Sequence, residues 1–174
     1  MAVPVIGFAA LSGTGKTTLL VKLLALLKAK GLRVGVIKHA HHTFDLDTPG
    51  KDSYELRKAG ADQTLVASRR RWALMVETGA AEDEPAIEAL IQRLYHQDLD
   101  LILVEGFKLS SLPKIELHRA GRSRPIAGVR DSTVLAVASD GELPSPIDRP
   151  VLDLNDPASI ADFICEEFGL SSPG

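Results

Sequence analysis

A glycine-rich turn stands between an apolar run and a leucine-rich run near the start of the chain. Residues 5–9 predict a strand buried on both faces, and the turn then reads Ala10-Leu11-Ser12-Gly13-Thr14-Gly15-Lys16-Thr17. Leucines at helical spacing predict a helix over residues 17–30, which Gly31 ends. This order of strand, turn and helix is the context that the Walker A phosphate-binding loop requires, although Ala10 replaces its first glycine. The chain is therefore predicted to bind a nucleotide.

The chemistry expected of this loop assigns a role to each of its polar positions. Glycines let backbone amides point at phosphates, and the helix N-terminus adds its positive end. Lys16 is expected to contact the β- and γ-phosphates as a catalytic charge, Thr17 to ligate Mg²⁺, and Thr18 to bond an α-phosphate oxygen. The predicted nucleotide-binding residues here are Ser12, Gly13, Thr14, Gly15, Lys16, Thr17 and Thr18.

A second apolar strand ends in a carboxylate, as a Walker B strand does. The run Leu99-Asp100-Leu101-Ile102-Leu103-Val104-Glu105-Gly106 places Glu105 at the carboxyl edge of the predicted sheet, where ligands of open α/β folds bind. We therefore predict that Glu105 holds Mg²⁺, directly or through a water molecule. The alternative is an acid at a strand end that meets only solvent.

A polar segment follows the second predicted strand, residues 34–38. Asp45 and Asp47 are predicted catalytic residues in the place of a switch segment, where one or the other would hold a metal-bound water or orient the attacking water. Two alternatives remain open. His39, His41 and His42 resemble the ligands of a soft divalent metal, or the segment is a solvated loop.

The remaining pattern alternates strands and helices across one predicted domain, residues 1–174. It predicts an α/β three-layer P-loop sandwich with a mostly parallel sheet and antiparallel additions. We expect a capping box from Asp52 to Glu55, strands 64–67 and 72–76 around a basic turn, and a helix with Pro85 at its first position. Alternation over residues 114–119 suggests an edge strand, residues 134–138 a buried one, and Asp156-Pro157 the start of a closing helix.

Composition limits the classes of partner. With 45% hydrophobic and 25% charged residues, the profile is that of a globular cytosolic protein, and the net charge of -3 argues against a general nucleic-acid coat. No stretch has the length of a membrane span, and a cleaved leader would remove the phosphate loop, so we expect a cytoplasmic protein. The single cysteine, Cys165, is expected to be a small buried or half-buried apolar residue.

These motifs together resemble the molybdopterin-guanine dinucleotide biosynthesis protein B family. The resemblance covers nearly the whole chain and rests on the segments 12–18, 37–42, 47–53, 56–61, 72–75, 101–108 and 136–140. It implies a homodimer that binds GTP with Mg²⁺, hydrolyses it weakly, and acts beside the guanylyltransferase that attaches GMP to the molybdenum-carrying pterin. Molybdopterin as a direct ligand rests on the resemblance alone.

The residues available for guanine recognition differ from the usual motif of GTP-binding proteins. The usual Asn/Thr-Lys-x-Asp sequence is missing, and Asp140, at the end of a buried strand, is the predicted guanine-reading residue. Two alternative functions remain. One is a small-molecule kinase with Asp45 or Asp47 as base and a lid built from Arg119, Arg122, Arg124 and Arg130; the other is a metallochaperone GTPase that uses the histidines.

Overall fold

The computed structural model describes residues 2–11, 13–40, 44–79, 85–94, 96–108, 110–121 and 130–171. The chain divides into two compact units. Unit 1 comprises Met1–His39 and Ala86–Gly174, and unit 2 comprises Ala40–Pro85. The single domain expected over residues 1–174 stays a prediction.

Unit 1 is built around a six-stranded parallel sheet. Its strands are β1 (Val5–Ala9), β2 (Val34–Lys38), β5 (Leu101–Glu105), β6 (Lys114–His118), β7 (Val134–Ser139) and β8 (Val151–Asp153). Their order across the sheet is β2-β5-β1-β6-β7-β8. Because all six run in the same direction, their carboxyl ends share one edge.

Helices cover both faces of this sheet, as side-chain alternation along the strands requires. Helices α1 (Lys16–Ala29) and α4 (Pro157–Glu167) pack with Ile6, Phe8, Leu101 and Leu103 on one face. The short helix α3 (Ile87–Ile91) packs with Ile102 and Val104 on the other, and a 3-10 turn (His96–Asp98) precedes β5. The predicted three-layer α/β sandwich is confirmed.

Unit 2 contains one helix and a separate antiparallel hairpin. Helix α2 (Asp52–Lys58) precedes β3 (Gln63–Ala67) and β4 (Trp72–Val76), which pair in antiparallel register. Ser68 closes the connecting turn, because its amide donates to the Arg71 carbonyl at 2.7 Å. The predicted pair of strands around the basic turn is confirmed.

Three local predictions are wrong. Residues 114–118 form an interior strand between β1 and β7, not an edge strand. The capping box fails because Asp52 is already helical and Lys51 is the N-cap, without a capping side chain. Helix α3 begins at Ile87 because Ala86 is still extended, so Pro85 precedes the helix.

The edge prediction failed because a polar residue in β6 is buried. Lys114 is 3% exposed, and its ammonium donates to the Lys108 and Ser110 carbonyls at 3.2 and 2.7 Å. It also donates to Asp131 at 3.3 Å. A buried charge is tolerated when it is fully paired in this way. A polar residue in the alternating pattern of β6 is therefore not necessarily exposed to solvent.

The closing helix begins as predicted. The Asp156 carboxylate accepts hydrogen bonds from the amides of Ala158 and Ser159, and Pro157 occupies the first helical position. The short strand β8, which the sequence pattern did not predict, immediately precedes this helix. None of the described helices has the length and hydrophobicity needed to cross a membrane.

Candidate nucleotide-binding site

The glycine-rich turn joins β1 to α1 at the carboxyl edge of the sheet. Gly13 and Gly15 have φ of 72° and 93°, values that other residues rarely adopt, and Gly15 is the N-cap of α1. Among the described residues no side chain caps this helix start, so its first amides are left for another acceptor. An anion is the acceptor that such a helix end favours. Ser12 lies outside the described residues.

Lys16 folds back over the loop that precedes it. Its ammonium donates to the carbonyls of Ala10 at 3.2 Å and Leu11 at 3.0 Å. Burial lowers the pKa of Lys16, the nearby Lys108 and Lys38 lower it further, and Glu105 opposes them. The site therefore concentrates positive charge, which an anionic ligand would relieve.

Thr14 closes the turn from inside. Its side chain is buried, and its hydroxyl donates to the Leu11 carbonyl at 2.8 Å. The Thr14 amide lies 3.4 Å from the same oxygen. These two bonds to the Leu11 carbonyl fix the curvature of the loop, so the Thr14 hydroxyl stabilises the loop by bonding the loop's own backbone.

Thr17 and Glu105 meet although they are far apart in the sequence. The Thr17 hydroxyl donates to one Glu105 carboxylate oxygen at 3.1 Å, and the Lys38 ammonium lies 3.9 Å from the other. Neighbouring ligands of an octahedral Mg²⁺ stand about 2.9 Å apart when each lies at about 2.1 Å from the metal. Two hard oxygen donors at this spacing fit one magnesium ion.

Gly106 is required where the chain leaves β5. Its φ is 103°, and a Cβ atom there would lie 2.5 Å from the Cβ of His39. The His39 amide donates to the Glu105 carbonyl at 2.8 Å, and the His39 ring lies 4.7 Å from that of Phe107. The ends of β2 and β5 are thus tightly joined beside the Glu105 carboxylate.

Arg119 joins the phosphate loop to Asp140. Its Nε donates to the Thr14 carbonyl at 2.9 Å, and its Nη1 donates to an Asp140 oxygen at 2.8 Å. The Ala120 amide donates to the other Asp140 oxygen at 2.7 Å. These bonds, the Ala120 amide foremost, hold the pKa of Asp140 below its ordinary value. From the sequence, Arg119 is only a candidate lid residue, although its position at the end of a strand is a signal for a place at the edge of the sheet.

Asp45 and Asp47 belong to unit 2, where both contact Arg57. The Arg57 guanidinium is 2.6 Å from Asp45, 2.8 Å from Asp47 and 3.1 Å from Glu77. The Arg57 hydrogen bond lowers the pKa of Asp47, and the same bond raises the pKa of Arg57. Both acids therefore have an ion-pairing role in unit 2, and their role in orienting water stays a prediction.

Several predicted positions fall outside the described residues, namely His41, His42, Arg122 and Arg124. Within the described part of the chain, no group of three or more His, Cys, Asp or Glu side chains is arranged to hold a metal ion. Cys165 is half-buried, as expected, and burial raises the pKa of its thiol.

Comparison of the sequence with known families gives one clear match. The model described as "Molybdopterin guanine dinucleotide synthesis protein B" matches residues 5–140. A molybdopterin-guanine dinucleotide biosynthesis adapter protein of Escherichia coli is 55% identical over 165 residues, covering 94% of this chain and 93% of that protein. The protein with the same name from Haemophilus influenzae is 44% identical, covering 93% of this chain and 88% of its own length.

Solved structures agree on the fold. A crystal structure of molybdopterin-guanine biosynthesis protein B has a TM-score of 0.74 and 24% identity, and the match covers 95% of this chain and 99% of that one. A crystal structure of Bacillus subtilis MobB has a TM-score of 0.75 and 23% identity, with 94% and 97% covered. At this level of identity the likeness concerns the fold alone.

Proposed function

The chain belongs to the molybdopterin guanine dinucleotide synthesis protein B family, and we propose that it is a Mg²⁺-GTP-binding adapter of molybdenum cofactor biosynthesis with weak GTP hydrolysis. The observation that carries the nucleotide part is the meeting of Thr17 and Glu105 beside the Lys16 loop. The adapter part is supported by the names of the Escherichia coli and Haemophilus influenzae relatives. The expected compartment is the cytoplasm.

In this proposal the loop amides and Lys16 hold the phosphates, Gly13 and Gly15 shape the cradle, and Thr18 bonds an α-phosphate oxygen. Lys16 exchanges its bonds to the Ala10 and Leu11 carbonyls for bonds to the β- and γ-phosphates. Mg²⁺, when bound, neutralises charge on the transferring phosphoryl group; Thr17 and Glu105 would hold it. The loop sequence 10–18 itself contains no arginine, and slow hydrolysis would follow if a partner must supply the transition-state charge.

The proposed partner is the molybdenum cofactor guanylyltransferase, engaged by a homodimer of this chain. Molybdopterin remains a candidate ligand, and its support is family membership alone. The kinase alternative gains no support, because Asp45 and Asp47, its proposed bases, are both bonded to Arg57. A panel of acceptor hydroxyls separates the two: phosphate released to water supports the GTPase, and phosphate transferred to a hydroxyl supports the kinase.

Glu105→Gln is expected to change the magnesium dependence of the protein more than its metal-free nucleotide affinity. The substitution keeps the size of the side chain but removes the charge that faces the cation. We expect the magnesium concentration for half-maximal GTP hydrolysis to rise about tenfold, as expected for loss of one charged contact. The measurement is a magnesium titration of phosphate release.

Glu116→Gln is the matched control, since Glu116 ends no strand and lies on β6, which β1 separates from β5. Its magnesium titration should follow that of the parent protein. If Glu105→Gln also follows the parent curve, Glu105 is an ordinary strand-end acid and the proposed metal ligand set is wrong.

The turn between β3 and β4 is the proposed contact for an anionic partner surface. Arg69, Arg70 and Arg71 are exposed side by side in it. Changing all three to Glu should abolish capture of the guanylyltransferase in a pull-down, because like charges then face each other, while GTP affinity stays unchanged. The control reverses the exposed Lys22, Lys28 and Arg93 with the same change in net charge. Capture that survives the first triple change would exclude the turn as the contact.

A further inference from the structure

The bond between Arg119 and the phosphate loop has a direct consequence for the next peptide group. A trans peptide directs its carbonyl oxygen and its amide hydrogen to opposite sides. The Thr14 carbonyl accepts from the Arg119 Nε at 2.9 Å, so the Gly15 amide in the same peptide plane points away from Arg119. The orientation of one amide at the helix start is therefore tied to a side chain that follows β6.

Two independent observations show that the position of Gly15 favours a glycine. Its φ of 93° is strained for residues that have a side chain. A Cβ atom at Gly15 would also lie 3.1 Å from the Arg119 Nη2. The guanidinium thus lies directly against the Gly15 backbone, and the space that a side chain would occupy is taken up by Arg119.

Arg119 is itself fixed from its far side. Asp140 accepts from its Nη1 at 2.8 Å, and the Ala120 amide holds the second Asp140 oxygen at 2.7 Å. The Arg119 side chain is 40% exposed, so its hydrogen bonds to Asp140 and Thr14 restrain it more than burial does. A chain of two hydrogen bonds therefore runs from Asp140, directly after β7, through Arg119 to the phosphate loop.

We propose that Arg119 is a positioning residue of the phosphate cradle: by holding the Thr14 carbonyl, it turns the Gly15 amide toward the bound phosphates, with Asp140 holding Arg119 in place. The inference rests on the proposed nucleotide-binding function and adds a residue to it. It also gives Asp140 a second role, separate from base recognition, in which it holds the arginine that orients the phosphate loop.

Arg149 is a matched control because it makes the same kind of bond elsewhere. Its Nε donates to the Val134 carbonyl at 3.0 Å, and Val134 begins β7 at the opposite end from Asp140. Arg149→Ala thus removes an arginine bond to a backbone carbonyl without touching the loop. Arg119→Lys is the second variant; it keeps the charge but has a single ammonium, which cannot hold both partners with the planar geometry of a guanidinium.

The experiment measures binding of Mg²⁺-pyrophosphate, GTP and XTP by calorimetry in the parent, Arg119→Ala, Arg119→Lys and Arg149→Ala proteins. We expect Arg119→Ala to weaken all three ligands by a common factor of about ten, the loss expected for one amide contact to a charged ligand. The ratio of GTP to XTP affinity should stay that of the parent. The affinities of Arg119→Lys should lie between those of the parent and those of Arg119→Ala, and the affinities of Arg149→Ala should match those of the parent.

Free guanidinium, added far below denaturing concentration, should restore part of the pyrophosphate affinity of Arg119→Ala and leave the parent unchanged. Unaltered pyrophosphate affinity in Arg119→Ala would overturn the inference, as would a loss confined to GTP, which marks a base contact. An equal loss in Arg149→Ala would also overturn it, by showing a general effect on the fold. If the parent binds neither pyrophosphate nor GTP, the proposed function itself fails and the inference falls with it.

Discussion

Lys16→Ala is expected to weaken GTP binding by roughly ten- to a hundredfold and to abolish detectable hydrolysis. The ammonium supplies charge-assisted hydrogen bonds to the β- and γ-phosphates, and such bonds contribute about 1.5–3 kcal/mol. The same ammonium bonds the Ala10 and Leu11 carbonyls, so it lies over the loop. Calorimetric titration with GTP measures the affinity, and phosphate release measures the hydrolysis.

Lys22→Ala provides the control for this substitution. Lys22 lies on the same helix, α1, but is exposed, so its removal should leave GTP affinity unchanged. The hydrophobic core contains neither lysine, and both variants should therefore unfold at the temperature of the parent protein. Full GTP affinity in Lys16→Ala would contradict the assignment of residues 10–18 as the phosphate cradle.

Asp140→Asn is expected to exchange the base preference of the protein. A carboxylate accepts two hydrogen bonds from the guanine ring N–H and amine, whereas an amide offers one acceptor and one donor, which suits xanthine. Loss of a bond to a charged group, with a donor left facing a donor, should weaken GTP by about 2–3 kcal/mol, or roughly thirty- to a hundred-and-fifty-fold. XTP should bind better than GTP in competition titrations.

A control variant distinguishes base recognition by Asp140 from effects of nearby acidic residues. Asp156→Asn is the control, because the Asp156 carboxylate caps α4 and should affect stability without changing the preference for guanine. If Asp140→Asn leaves the ratio of GTP to XTP affinity unchanged, Asp140 serves only the Arg119 and Ala120 bonds and guanine is read elsewhere. Asn155 is then the next residue to test, since it is exposed between β8 and α4.

The parts of the site that the sequence predicts are those with local determinants. A buried strand, two glycines and a leucine-rich helix define the phosphate loop within a short stretch, and the structure places them as expected. Glu105 was predicted because an apolar strand that ends in an acid is also a local pattern. Its meeting with Thr17 follows from the parallel pairing of β1 with β5, which aligns their carboxyl ends.

Arg119 could not be assigned from sequence because its contact depends on strand order. It lies 105 residues from Thr14, and the two meet only because β6 pairs with β1 in the interior of the sheet. Alternation over residues 114–119 suggested an edge strand, which would have placed Arg119 elsewhere. The first polar residue of that alternation, Lys114, is buried but fully hydrogen-bonded, a state that the sequence pattern does not reveal.

Asp45 and Asp47 show a local pattern that is compatible with more than one role. Two acids after a strand resemble a switch segment, but the sequence does not reveal that Arg57 bonds them both. Arg57 lies one helix later, and its side chain is only 8% exposed. Ion-pair partners of this kind depend on side-chain packing, which periodicity does not encode.

Titration of the parent protein with GTP in the presence of magnesium tests the central claim most directly. We predict saturable heat with one nucleotide bound per chain. When a chelator replaces magnesium, GTP binding should disappear or the GTP affinity should fall at least about tenfold, as expected for loss of a charged metal contact. Pyrophosphate should displace the nucleotide, because the phosphate cradle supplies most of the binding. Absence of saturable binding, or binding that neither magnesium nor pyrophosphate affects, would contradict the account.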